Sequence, residues 1–298
     1  MKNKLHPSYK EKQRVNNLNR CPKIFASGDS EIPYIIAGGR QGSERLNTLA
    51  RATWPTTFTF LKRAGLKQGV NLLDVGCGNG VITKKIADFI GPQGSIVGID
   101  VDKSVIEFAK SSLQRDKKNI TYEVINIENE QLDDIHSYDF IYARFLLSHL
   151  KNPRAVLSKL VSKLKPTGII AVEDTYFDGH RSQPTDWAFD RYVALFKEVA
   201  FKQGTNPNIG PVLEDLFREV GLNKIKIEKV TPMFSDGAGK RMALLTMEAI
   251  QEKAITLGLA STEELHNLVS ELRRFTANPR TTMSIPTIYQ VVGRKGKK

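Results

Sequence analysis

Cysteine is almost absent from this 298-residue chain, which contains only Cys21 and Cys77. That scarcity excludes a disulfide framework and any four-cysteine zinc site, so no metal centre is expected and a reducing, cytoplasmic setting fits best. Long apolar runs are missing as well. No stretch approaches the roughly 18 consecutive apolar residues of a membrane helix, so no membrane span is expected. The opening segment MKNKLHPSYKEKQRVNNLNRCPK is basic, but no apolar stretch follows its charges and it does not read as a secretory signal. Low-complexity tracts and internal repeats are absent between Ile24 and Arg294. With 40% hydrophobic and 26% charged residues, the chain has the composition of a folded protein. It is long enough for one large core or two small ones.

Acidic residues are too few to balance the bases, and the formal charge is +12. The excess is local. The first 23 residues hold seven bases against the single acid Glu11, and the last five, RKGKK, hold four bases and no acid. The remainder is left at +2. Charged ends of this kind read first as solvated tails, and second as arms that grip phosphate.

Between the tails a rhythm recurs of a short apolar run, a turn and a helical pattern. NLLDV (71–75), SIVGID (95–100), ITYEVINI (120–127), YDFIYA (138–143) and IIAVED (169–174) read as strands. VITKKIADFI (81–90), KSVIEFAKSSL (103–113) and PRAVLSKLVSKL (153–164) read as the helices between them. The first stops at Gly91-Pro92 and the last at Pro166-Thr167-Gly168. Such alternation specifies an open α/β sheet with helices on both faces. Further helices are expected at about 43–65, 185–202, 211–220, 239–257 and 261–275, with strands at 224–230 and 288–294. The expected organisation is one domain over 24–293, with helical insertions at about 176–222 and 233–280 forming a lid and basic tails at 1–23 and 294–298.

The informative segment is LLDVGCGNG (72–80). A buried strand runs into a sharp turn of glycines and then a helix, so a ligand can approach the Gly76-Cys77-Gly78 main chain more closely than a Cβ would allow. A dinucleotide pattern would want a small residue at position 81, which is Val81. The Asp74 carboxylate would repel a pyrophosphate but suits the cationic amino group of an amino-acid moiety. No Walker pattern is present. Asp100, at the end of the second strand, is placed to accept the two ribose hydroxyls of an adenosine. Val101 would lie on one face of the adenine. Asn126 would meet its exocyclic amine, or else simply form a turn, and Ile127 would cover the ring.

With those residues in view, the chain resembles the class I S-adenosylmethionine (SAM) dependent methyltransferases, well over 34–175 and loosely to the C-terminus. LLDVGCGNG, GIDVD, INIEN, YDFIYARFLLSHLKNP and LKPTGIIAVED look like that family's successive motifs, although the third often has Asp-Ala where Asn126-Ile127 stands. The resemblance implies a Rossmann-like, mostly parallel seven-stranded sheet, SAM as cofactor and S-adenosylhomocysteine as product. YIIAGGRQGSERLNTLARAT looks like a subgroup in which Tyr34 would cover the sulfonium region and Arg45 would meet the methionine carboxylate. Arg45 could instead pair with Glu44 or another surface acid.

Methyl transfer by in-line displacement needs alignment and desolvation, and a base only where the acceptor must lose a proton. His149 is the first candidate base, with packing as its other reading. Glu173 and Asp174 close the fifth strand where the acceptor would enter, and since neighbours on a strand face opposite ways, one of them should reach the pocket. The Arg144 backbone suits the methionine amino group, and its side chain an anionic acceptor. Tyr176, Phe177, Trp187, Phe189, Tyr192 and Phe196 would either pack the extra helix or grip a flat apolar acceptor. The expected partner is a small molecule rather than nucleic acid, and the expected state a monomer or homodimer. The turn Ala143-Arg144-Phe145 lacks the Asn/Asp-Pro-Pro-aromatic pattern of adenine-N6 enzymes, and neither cysteine suits a cytosine-C5 enzyme. An RNA or protein substrate held by the tails, a catalytically silent SAM-binding protein and a NAD-dependent oxidoreductase are the competing readings.

Overall fold

In the computed structural model the described residues are 39–113, 119–132 and 137–296. A long helix, α1 (Gly39–Ala64), leads into the sheet. Then come β1 (Asn71–Val75), α2 (Val81–Ile90), β2 (Ser95–Asp100), α3 (Lys103–Ser111), β3 (Ile120–Val124), β4 (Tyr138–Arg144), α4 (Pro153–Ser162) and β5 (Leu164–Tyr176). Helices start where the sequence marks them. Asp102 and Asn152 cap α3 and α4 through their side chains, and Pro153 occupies the first turn of α4.

After β5 come a two-residue β6 (Ser182–Gln183), α5 (Trp187–Lys202), α6 (Leu213–Glu219), β7 (Leu222–Val230) and β8 (Met233–Phe234). The chain continues through α7 (Gly237–Lys240), α8 (Met242–Thr256), α9 (Thr262–Ala277), β9 (Thr282–Ser284) and β10 (Thr287–Lys295). The main sheet has seven strands in the order β3-β2-β1-β4-β5-β10-β7. The first five pair in parallel, and β10 runs against both its neighbours, β5 and β7.

Two-residue alternation along the strands divides the core by face. Leu72, Phe140, Tyr142 and Ala171 pack against α1, α2 and α3, through residues such as Leu61, Ile86 and Ile106. Leu73, Ile141, Val172 and Val291 pack against α4 and α6, through Leu157, Leu160 and Phe217. A third cluster joins α5, α8 and α9 around Phe189, Leu195, Met247, Ile250, Leu268 and Leu272.

Three details depart from the sequence expectation. β3 ends at Val124 because the chain turns at Asn126. β5 begins at Leu164 and contains Pro166-Thr167-Gly168 as an irregularity rather than after a loop, with Thr167 in the left-handed region at φ 67°. The small sheet β6-β9-β8 was not anticipated, because runs of two or three residues carry no readable period.

Candidate functional site

The glycine turn lies at the carboxyl ends of the parallel strands, where β1 gives way to α2. Gly76, Gly78 and Gly80 all have positive φ (71°, 54° and 72°), a conformation that costs an L-residue roughly 1–2 kcal/mol. The turn is tied to β2: the Gly76 and Cys77 amides donate to the Ile99 carbonyl at 2.8 and 3.0 Å. The Gly78 amide donates to Asp100 Oδ2 at 2.8 Å, and Asp102 N to Asp100 Oδ1 at 3.0 Å. Asp100 therefore fixes the turn while its carboxylate stays at the strand end. Burial raises its pKa against the lowering effect of those amide donors.

Beneath the turn lies Asp74, which the sequence placed beside the cofactor's amino group, with two neighbours the sequence did not single out, Thr83 and Tyr122. Asp74 is 3% exposed and accepts from the Thr83 hydroxyl of α2 at 2.6 Å. Burial pushes its pKa to about 6, against the Thr83 bond and the Arg144 charge. Tyr122 of β3 donates to the Gly80 carbonyl at 3.2 Å and fills the space that side chains at Gly80 and Gly98 would need. Cys77 is half-buried, and burial together with Asp74 and Asp100 raises its thiol pKa well above 9. It stays a neutral thiol.

α1 lies over the turn. The buried Asn79 donates through Nδ2 to the Ser43 carbonyl, Ser43 Oγ and Asn47 Oδ1 at 3.2, 3.1 and 3.0 Å. Leu46 comes close to Gly78. Only three-dimensional proximity shows this role for Asn79, since its partners lie 32 and 36 residues away in the chain.

On the other side of the strand ends a second group of polar side chains faces the helical layer. Arg45 Nε donates to Thr246 Oγ1 of α8 at 3.1 Å, while Glu44 pairs with Arg241 at 3.8 Å. The described bond of Arg45 runs toward α8. Arg45 and Lys253 lie near His149, and burial, followed by those two charges, lowers its pKa to about 3. Its imidazole is neutral, and the protonated form a general base must reach is opposed from both sides. Tyr192 lies near Arg45 and Thr246, and its phenol, raised to about 12 mainly by burial, also stays neutral.

The acidic pair at the end of β5 faces opposite ways, as strand geometry demands, but neither carboxylate is exposed. Glu173 accepts from Tyr142 Oη at 2.5 Å and from Gln290 Nε2 at 2.7 Å. Burial and the neighbouring Glu173 keep the Tyr142 phenol protonated. Both Glu173 oxygens are engaged, by Tyr142 and by Gln290. Asp174 accepts from the Ser148 and Thr175 amides at 3.2 and 2.8 Å and has a pKa raised to about 6, burial outweighing those bonds. It holds the turn that carries His149. Phe145, just before that turn, has φ 52°, backbone strain of the kind that gathers at functional sites.

Arg144 donates through a guanidinium nitrogen to Thr53 Oγ1 at 2.7 Å, so its side chain supports α1 instead of standing free for an anionic acceptor. Val101 is half-buried beside Asp100. Asn126 forms the turn its other reading supposed, its Oδ1 accepting from Glu128 N at 3.1 Å. Ile127, 7% exposed, belongs to the core. Tyr34 and the first 23 residues lie outside the described residues. Among the aromatic residues proposed as a lid, Phe177 stacks on Phe196 with centroids 4.1 Å apart and meets Tyr192 edge-on, while Trp187 is 56% exposed. Phe177, Phe189, Tyr192 and Phe196 pack the helical layer. Among the described residues no group of three or more His, Cys, Asp or Glu is arranged to hold a metal, and no helix is long and apolar enough to cross a membrane.

A family model described as a methyltransferase domain matches residues 66–234. The chain is 30% identical to an O-methyltransferase of Aspergillus sclerotiorum over 201 residues, covering 66% of this chain and 71% of that protein. It is 28% identical to a demethylmenaquinone methyltransferase of Lactobacillus johnsonii, covering 49% of this chain and 60% of that one. A ubiquinone biosynthesis O-methyltransferase of Coxiella burnetii is 30% identical over 38% of this chain, and only 47% of its own length is spanned. A protein of Invertebrate iridescent virus 6 named as a putative methyltransferase is 32% identical over 36% of this chain, and 37% of its own length is spanned. Among solved structures, a phosphoethanolamine N-methyltransferase of Haemonchus contortus with bound phosphomonomethylethanolamine and S-adenosylhomocysteine shares the fold, with a TM-score of 0.54 at 20% identity. That match covers 87% of this chain and 58% of the other.

Proposed function

The chain belongs to the methyltransferase-domain family matched by its residues 66–234, and from that premise we propose that it transfers a methyl group from SAM to a small, largely apolar acceptor. The observation that carries this reading is the pairing of the glycine turn with Asp100 at the carboxyl ends of the parallel strands. The residues fit such a cofactor. Gly76 and Gly78 leave the main chain open to close approach, and the Asp100 carboxylate, with about four lone-pair sites, keeps acceptor capacity for ribose hydroxyls beyond its bonds from the Gly78, Val101 and Asp102 amides. Val101, Asn126 and Ile127 would flank the adenine, and the Cys77 and Arg144 backbones the amino-acid end. Asp74, buried below the turn, opposes a pyrophosphate there and so counts against a nicotinamide dinucleotide.

When bound, SAM supplies an electrophilic methyl group on a sulfonium. The chain's own part is to align the acceptor and exclude water. α1, held down by Asn79, and the helices α5, α8 and α9 would cover the site. His149, neutral and held by the turn that Asp174 anchors, would orient the acceptor by accepting a hydrogen bond. Arg45 would brace α1 against α8. A small acceptor is supported by relatives named for quinone biosynthesis.

Incubation with methyl-labelled SAM, a small-molecule extract, and separately total RNA and protein tests the acceptor class. Label should enter the small-molecule fraction. Label entering only RNA or protein would overturn the acceptor assignment, and the basic tails would then become the place to look.

A further inference from the structure

At the opposite end of the sheet from the glycine turn, the amino ends of β1 and β4, the end of α1, the β5 irregularity and the end of β10 border a half-open cavity of about 220 Å³. One water's share of liquid volume is about 30 Å³, so the space suits a small hydrated anion. It is lined by Lys67, Asp139, Lys165, Thr167 and Arg294 among others, three cations against one carboxylate.

The sequence pattern explains why they meet. Alternation along β10 puts Gln290, Val292 and Arg294 on the face covered by α1. Arg294 then comes to rest beneath the end of α1, within 3.3 Å of the point where a Gly65 side chain would begin. Gly65 has φ 105°, and its amide and that of Leu66 bond back to the Lys62 and Leu61 carbonyls. The negative end of the helix is thereby partly satisfied by its own chain.

The carboxylate in the cavity is already spoken for. Asp139 meets Lys165 at 2.9 Å through Oδ1 and accepts from Asn71 N at 3.0 Å through Oδ2. Burial raises its pKa, but the Asn71 amide and Lys165 outweigh that and hold it below the ordinary carboxylate value. Among the described residues no ion pair engages Lys67 or Arg294. Two positive charges, one a planar fork and one a point charge, therefore border a small polar cavity beside the Thr167 hydroxyl. Thr167 itself is held at φ 67°.

We propose that this cavity binds a phosphate group, either free or as the end group of a small phosphorylated metabolite, through Lys67 and Arg294 with Thr167 at its rim. β1 spans five residues, so the cavity is roughly 17 Å from the glycine turn at about 3.3 Å per residue. It would act apart from the methyl-transfer site, and it gives Arg294 of β10 a role that the proposed reaction does not.

The test is calorimetric titration of the full chain at constant ionic strength with inorganic phosphate and, separately, glycerol 3-phosphate. One equivalent per chain should bind with a Kd of about 1 mM or tighter. Lys67→Ala and Arg294→Ala should each weaken binding by about fivefold or more, with S-adenosylhomocysteine affinity unchanged. Lys67 is exposed, so its variant keeps the test sound should the Arg294 variant fold poorly. Binding of both probes assigns the free anion, and binding of the monoester alone assigns a phosphorylated metabolite. No binding of either probe, or equal binding by Lys67→Ala and wild type, would overturn the proposal whatever the fate of the methyl-transfer reading.

Discussion

Gly80→Ala is expected to lower S-adenosylhomocysteine affinity by about a hundredfold or more and to cost measurable stability. Two effects add. Alanine at φ 72° carries the left-handed penalty of roughly 1–2 kcal/mol. Its Cβ would also fall 2.2 Å from Tyr122 Oη and 2.6 Å from Cζ, separations that real atoms do not tolerate. Tyr122 cannot retreat easily, because it is 2% exposed and packed into the core under the turn. Either the ring or the turn must move, and the turn also carries the Gly78 amide that meets Asp100. Gly221→Ala is the control. It has φ 79° with no atom within 4 Å of a new Cβ, so it should show the backbone penalty alone and bind normally. Calorimetry on both variants decides the matter, and near-normal affinity in Gly80→Ala would mean that the turn is not the cofactor cradle.

Glu173→Ala is expected to destabilise the protein by about 2–5 kcal/mol, the cost of leaving two buried polar groups unsatisfied, or roughly 4–20 °C in melting temperature at about 2–4 °C per kcal/mol. The substitution leaves the Tyr142 hydroxyl and the Gln290 amide, both buried, without their acceptor. Glu173→Gln keeps an acceptor oxygen and should lose less. Thermal unfolding followed by circular dichroism separates this structural role from a catalytic one. A normal melting temperature with abolished methyl transfer would return Glu173 to the chemistry.

Those two residues also show what the sequence can and cannot carry. The glycine spacing at 76, 78 and 80 was legible because a turn of that kind restricts residue type locally. The reason that position 80 tolerates no side chain was not, because Tyr122 arrives from a strand 42 residues further on. Likewise, two acids at a strand end look like site residues until strand pairing brings Tyr142 and Gln290 beside one of them. The five parallel strands could be read from alternation with helices. The placement of β10 between β5 and β7 rests on long-range pairing that local patterns do not encode. The aromatic residues of α5 follow the same lesson. Their density is a packing requirement of a three-helix layer, and Trp187, the largest of them, faces outward. Asp100 was the most legible of all, since strand, turn and charge coincide at one position.

The central claim is that the glycine turn and Asp100 form a SAM site. Calorimetric titration with S-adenosylhomocysteine, and in parallel with NADH, tests it most directly in wild type and Asp100→Ala. The account predicts one equivalent of S-adenosylhomocysteine per chain, a loss of about tenfold or more in the variant from the missing charge-assisted bonds, and no binding of NADH. Binding of NADH in place of S-adenosylhomocysteine, or unchanged S-adenosylhomocysteine affinity in Asp100→Ala, would contradict it.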